Sequence, residues 1–129
     1  MKFQPDSSDG VNVITRQEPG RIWVGMVPFS HSVLVPWQGE VQGWDAAVVA
    51  ELSEAHFEQI AQLRPEVVIL GSGARLQFVP PALQRVLFTQ RIGVETMDTA
   101  AACRTYNVLA SERRRVLAAL LVAPPTPAS

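Results

Sequence analysis

Three groups of residues have types and spacings that could support chemistry. The first is Gly71-Ser72-Gly73, with Arg75 two residues further on. Glycines at the end of an apolar run let backbone N–H groups approach an anion, and an arginine adds a fork of donors. The turn has no Gly-Lys-Ser/Thr, so it is not a P-loop, and no third glycine opens a helix, so it is not a dinucleotide fingerprint. Leu70 and Ala74 stand where a Gly-x-Ser-x-Gly elbow has its outer glycines, which places Ser72 poorly as a nucleophile. A tight structural turn accounts for the same residues.

The second group is Asp98, Arg104, Asn107, Glu112 and Arg114, all within one predicted helix and its exit. Neighbouring acidic and basic groups shift one another's pKa and can hold a carboxylate or phosphate. They can equally form a capping and ion-pair network that ties the helix to the strand after it. Taken with the glycine turn, they outline a candidate anionic-ligand cleft between Gly71–Gly73 and Arg104/Asn107.

The third group is His31, His56 and Cys103, which lack the spacing of metal ligands. Cys103 falls on an apolar helical stripe, the position of a small core residue rather than a nucleophile. No catalytic set, metal or cofactor is expected.

Those residues need a scaffold, and 129 residues suffice for one domain with its own core. Eleven basic against twelve acidic residues exclude a broad field for nucleic acid. Arg113-Arg114-Arg115 reads as a solvated turn after a helix, where cations are favoured. One cysteine cannot form an internal disulfide, and no signal segment opens the chain, which points to the cytoplasm. The apolar run Val116–Val122 is far short of the ~20 residues of a membrane span.

In chain order, residues 1–10 read as a loose arm, 11–123 as the globular domain and 124–129 as a Pro-rich tail. Residues 11–27 predict a hairpin turning at Pro19-Gly20, and Val33–Val35 a further strand. Glu40–Asp45 suits a short edge strand or a shaped loop, and Trp37 and Trp44 read as rim-of-core residues. Ser53 is placed to cap a helix, with Leu52 and Phe57 as a hydrophobic staple and Arg64-Pro65 as its end. Val67–Leu70 is apolar at every position, as a central parallel strand requires. Pro80-Pro81 opens a second helix, and Val94–Met97 is a short strand. Asp98 caps a third helix burying Ala102, Cys103, Tyr106 and Ala110. Residues 116–122 alone are compatible with helix or strand. Strands followed by alternating α and β segments argue for an α+β fold with at least one mixed sheet.

Several stretches together resemble one family. They are Gly71-Ser72-Gly73, the Pro-Pro helix start, residues 93–99, Ala102-Cys103-Arg104-Thr105-Tyr106-Asn107-Val108-Leu109 and Glu112-Arg113-Arg114. The chain resembles the small single-domain family that includes mitochondrial NADH dehydrogenase (complex I) assembly factor 3, adipogenesis-associated proteins and many bacterial and archaeal members. The resemblance covers residues 11–123 and is densest over 65–122. The family usually has threonine where Ser72 stands, and Arg113 is an addition. The resemblance implies a three-layer β/β/α fold, with mixed sheets and about three helices on one side, and makes the last segment a strand. It implies no reaction. It implies an interaction role with a protein partner, because the best-understood member helps assemble a multi-subunit complex.

Overall fold

The computed structural model describes residues 10–124. The expected arm and tail therefore lie outside the described residues, except for Gly10 and Pro124. In chain order the elements are β1 (Ile14–Glu18), β2 (Arg21–Val24), β3 (Val27–Phe29), β4 (Val33–Pro36), β5 (Gln42–Gly43), α1 (Glu54–Gln62), β6 (Val67–Gly71), α2 (Arg85–Thr89), β7 (Gly93–Met97), α3 (Thr99–Ser111) and β8 (Val116–Leu120). Short 3-10 turns occupy Val49–Glu51 and Pro81–Gln84.

β1, β2 and β3 form an antiparallel sheet whose first hairpin turns at Pro19-Gly20, as its sequence predicts. The larger sheet has the order β5-β4-β8-β6-β7. β4 is antiparallel to β5 and β8, while β6 runs parallel to both β8 and β7. Residues 116–120 are a strand, as the family resemblance implied.

Alternation sorts the large sheet's side chains onto two faces. Leu34, Val68, Leu70, Leu117 and Ala119 pack with Phe57 and Ile60 of α1 and Leu87 of α2. On the other face Val33, Val35, Ile69, Ala118 and Leu120 meet Ala102, Cys103 and Tyr106 of α3, together with Ile14, Ile22 and Val24 of the small sheet. The α+β class and the stacking of two sheets are as expected. The third helix takes a different place: α1 and α2 share one face, and α3 lies on the other beside the small sheet. Crossover handedness explains it. The chain passes from β6 through α2 to β7 in one direction, then back through α3 to β8 on the far side of β6. Right-handed connections in opposite directions put their helices on opposite faces.

Local signals set the helix ends. Ser53 N–H donates to His56 Nδ1 (3.0 Å), and Leu52 and Phe57 are both buried in the core under α1. Trp44 is buried, with its indole N–H on the His56 carbonyl at 3.2 Å. α3 begins directly against the end of β6, and Gly71 permits that approach. A Cβ at residue 71 would lie 2.8 Å from Thr99 Cα and 3.2 Å from Ala102 Cβ.

Gly71→Ala must therefore displace α3 or the strand end. The expected loss is about 1–3 kcal/mol in urea denaturation. An unchanged midpoint would show that α3 does not lie this close.

Candidate functional site

The candidate site lies at the C-terminal ends of β6, β7 and β8, where the chain leaves the sheet. Ser72 is buried, and its backbone N–H donates to the Met97 carbonyl (2.8 Å). Its hydroxyl accepts from Gln77 N–H (3.0 Å) and sits 2.8 Å from the Arg75 carbonyl, to which it donates. The neighbouring N–H of Gly73 donates to the Thr99 hydroxyl (3.0 Å), and that hydroxyl donates to the Leu121 carbonyl (2.9 Å). Thr99 N–H returns a bond to the Gly73 carbonyl at 2.8 Å. One buried threonine thus joins the glycine turn, the start of α3 and the exit of β8. Asp98 caps α3 through Oδ1, which accepts from Ala101 N–H at 2.8 Å.

Around this junction opens a cleft of about 550 Å³. Ser72, Gly73, Arg75 and Gln77 form one wall, Thr99 and Ala100 another, and the β1–β2 turn and Val48 close the sides. Arg75 is exposed there and is the cation among the lining residues. Glu18 is the lining carboxylate, and it pairs with Arg16 at 3.2 Å. The two sheets thus share one mouth, polar at its rim and apolar below.

The structure brings Gly71, Ser72, Gly73 and Arg75 together, with Asp98 one residue from the lining. It does not bring the remaining predicted residues to the same place. Arg104 and Asn107 are absent from the cleft walls. Five and eight residues beyond Thr99, they lie about 8 and 12 Å further along the helix axis. Arg104 is exposed. Asn107 acts as a strand-edge surrogate: its Oδ1 accepts from Ile14 N–H (2.9 Å) and its Nδ2 donates to Ile14 O (2.8 Å). Glu112 is exposed just after α3, and Arg114 pairs with Glu66 at 3.0 Å, at the opposite end of the parallel strands.

Electrostatics follow the same division. Glu66 Oε1 accepts from the Arg115 N–H (3.0 Å) and Oε2 from Arg114 Nε, and these bonds hold its carboxyl below the usual range. Burial pushes the Cys103 thiol up to about 12, against a smaller opposing effect of Arg104. Burial also raises the Tyr106 phenol, which donates to the Asn12 carbonyl at 2.9 Å. Among the described residues, no group of three or more His, Cys, Asp or Glu side chains is placed to hold a metal ion.

Sequence reasoning passed over the junction role of Thr99, while Tyr106 lies on the buried stripe of α3 where the spacing put it. A threonine after an N-cap looks like an ordinary first-turn residue. Its reach to Leu121 depends on β8 ending beside β6, which no local pattern encodes.

Residues 14–121 match a family profile described as protein of unknown function (DUF498/DUF598). The NADH dehydrogenase (ubiquinone) 1 alpha subcomplex assembly factor 3 of Bos taurus is 35% identical over 99 residues, 75% of this chain and 52% of that protein. The chain thus spans about half the length of that relative. A crystal structure of a Bordetella parapertussis protein superposes with a TM-score of 0.84 at 39% identity, covering 89% of this chain and 98% of the other. A solution structure from Bordetella pertussis, described as a Mth938-like domain, gives 0.82 at 33% identity, covering 98% and 95%.

Asp98→Ala removes a cap whose N–H partner is seen, and the expected loss is about 1 kcal/mol by thermal or chemical denaturation. No change would mean the bond to Ala101 contributes nothing. Because the Cys103 thiolate is scarcely populated at neutral pH, the folded protein should resist iodoacetamide that alkylates the urea-unfolded chain, read by mass spectrometry. Equal labelling of both states would contradict its buried position.

Proposed function

The chain belongs to the DUF498/DUF598 family, and we propose that within it this protein works as a non-catalytic protein-interaction module of the assembly-factor kind. The observation that carries the reading is a pair of large apolar side chains left in water beside the cleft. Leu76 is 65% and Phe78 77% exposed, on the loop whose Arg75 and Gln77 line the cleft. Val48 on the facing segment is also exposed. Exposed apolar side chains next to a concave site are a common component of a protein docking surface. The name of the Bos taurus relative supports an assembly role, and the hydrogen bonding of the junction supports a structural use of Ser72, Thr99 and Asp98. Under this reading the polar cluster on α3 is scaffold, and the partner contacts the loop 74–80.

A second reading keeps the cleft and replaces the partner with a small anionic ligand held by Arg75 beside Gly71–Gly73. The support is the cleft's size and the exposed guanidinium at its wall. Asp98, Arg104, Asn107, Glu112 and Arg114 have no part in it. In either case no helix among the described residues is long and apolar enough to cross a membrane. We assign the protein to the cytoplasm, on the single-cysteine argument.

The test is capture of a stoichiometric protein partner from the protein's own cells by the native chain and by Leu76→Ser/Phe78→Ser. The variant should keep its melting temperature, since both side chains are exposed, and lose the partner. If the partner is retained, the loop is not the docking surface. If no partner appears, and phosphate or a dicarboxylate raises the melting temperature in a manner lost with Arg75→Gln, the second reading takes its place.

A further inference from the structure

At the opposite end of the large sheet the fold gathers arginines that are scattered in the sequence. β6, β7 and β8 start in register, with Val67 paired to Gly93 on one side and Val116 on the other. The segment entering β6 carries Arg64, that entering β7 carries Arg91, and that entering β8 carries Arg113, Arg114 and Arg115. Neighbouring strands are about 4.8 Å apart, so the three segments lie side by side within about 10 Å. All five arginines are exposed, and the carboxylates in the same segments are Glu66 and Glu112. A chain with a net charge of −1 thus has one strongly cationic end.

The backbone adds a second observation. Arg64, Arg91 and Arg113 have φ of 53°, 60° and 65°, and they are the positive-φ residues other than glycine among the described residues. Each follows a helix, where a left-handed residue is usually glycine or asparagine because a Cβ is disfavoured there. Backbone energetics alone favour glycine at all three positions. Arginine at 64 and 91 needs a reason outside the backbone, and strained conformations that persist point toward function.

We propose that this end of the sheet docks an acidic protein segment, its Asp and Glu carboxylates pairing with the arginines of the three segments. The patch already holds one carboxylate of its own, through Arg114 and a backbone N–H. Glu66 sits between Arg114 Nε and the Arg115 N–H, each at 3.0 Å. Guanidinium forks suit carboxylates at protein interfaces. Phe88, 48% exposed and one turn before Arg91, adds an apolar contact beside the charges. Nucleic acid draws affinity from a longer track of phosphate contacts than this compact patch offers. A bilayer requires one broad apolar face alongside the cations, whereas the exposed apolar residues toward this end, Phe88 on α2 and Val108 on α3, sit on helices that cover opposite faces of the sheet. The proposal does not rest on the reading of the cleft.

The test compares the full chain with Arg64→Gly/Arg91→Gly. Glycine accepts the left-handed conformation at 64 and 91, so this variant should fold with an equal or higher melting temperature. The probes are a fluorescein-labelled polyglutamate peptide, phosphatidylglycerol vesicles and a single-stranded oligonucleotide. The native chain should bind the peptide best, more weakly as salt rises, and the glycine variant about tenfold less well. Arg16→Gln/Arg21→Gln makes the same change in net charge elsewhere and should keep the affinity within about twofold. The proposal is overturned by absence of salt-sensitive peptide binding, by equal loss in both variants, or by undiminished binding in the glycine variant. Stronger binding to vesicles or oligonucleotide overturns it too, as does a lower melting temperature of the glycine variant, which would make the arginines props of the fold.

Discussion

Val67–Leu70 and Val116–Leu120 have no polar side chain to turn toward water, so both faces of the two central strands have to be covered. One layer cannot do that. The chain solves it with α1 and α2 on one face, and with α3 and the three-stranded sheet on the other. The direction of each crossover decides which helix goes where, because β7 and β8 lie on opposite sides of β6. The small sheet has no second covered face of its own. It is held by burying Ile14, Ile22 and Val24 against the large one.

The same layering explains why polar residues that look chemically apt are occupied structurally. Where the strands end, backbone groups leave the ladder and need partners inside the protein, and an unpaired buried group is costly. Thr99 serves Gly73 and Leu121, Ser72 serves Gln77 and Arg75, and Ser32 accepts from Val122 N–H at 2.9 Å. Asn107 satisfies both backbone groups of Ile14, beside an irregularity in the register of β1. What these bonds leave accessible is one cleft, polar at its rim and apolar below, and one cationic end. The two lie at opposite ends of the same parallel strands, so the two proposed surfaces do not overlap.

Much of the fold was legible because its causes are local. Ser53 and Asp98 sit at helix starts, Pro19-Gly20 at a hairpin turn, and the apolar stripe of α3 shows the small residues that contact with a sheet demands. The candidate site was legible only at the glycine turn. Arg104 and Asn107 were grouped with it by closeness along the chain, yet a helix carries residues away from its own start at about 1.5 Å each. Asn107 finds its partner 93 residues away in the chain.

The sequence by itself determined the class of the protein: strands apolar on two faces, caps, turns and a family pattern, all set by interactions within a few residues. Tertiary structure alone decided which residues became neighbours. Arg64, Arg91 and Arg113 share one end because β8, β6 and β7 pair side by side, and Gly71 tolerates no side chain because Thr99 starts a helix against it. Strand order arises from pairing across long stretches of chain, and spacing along the sequence has no term for it.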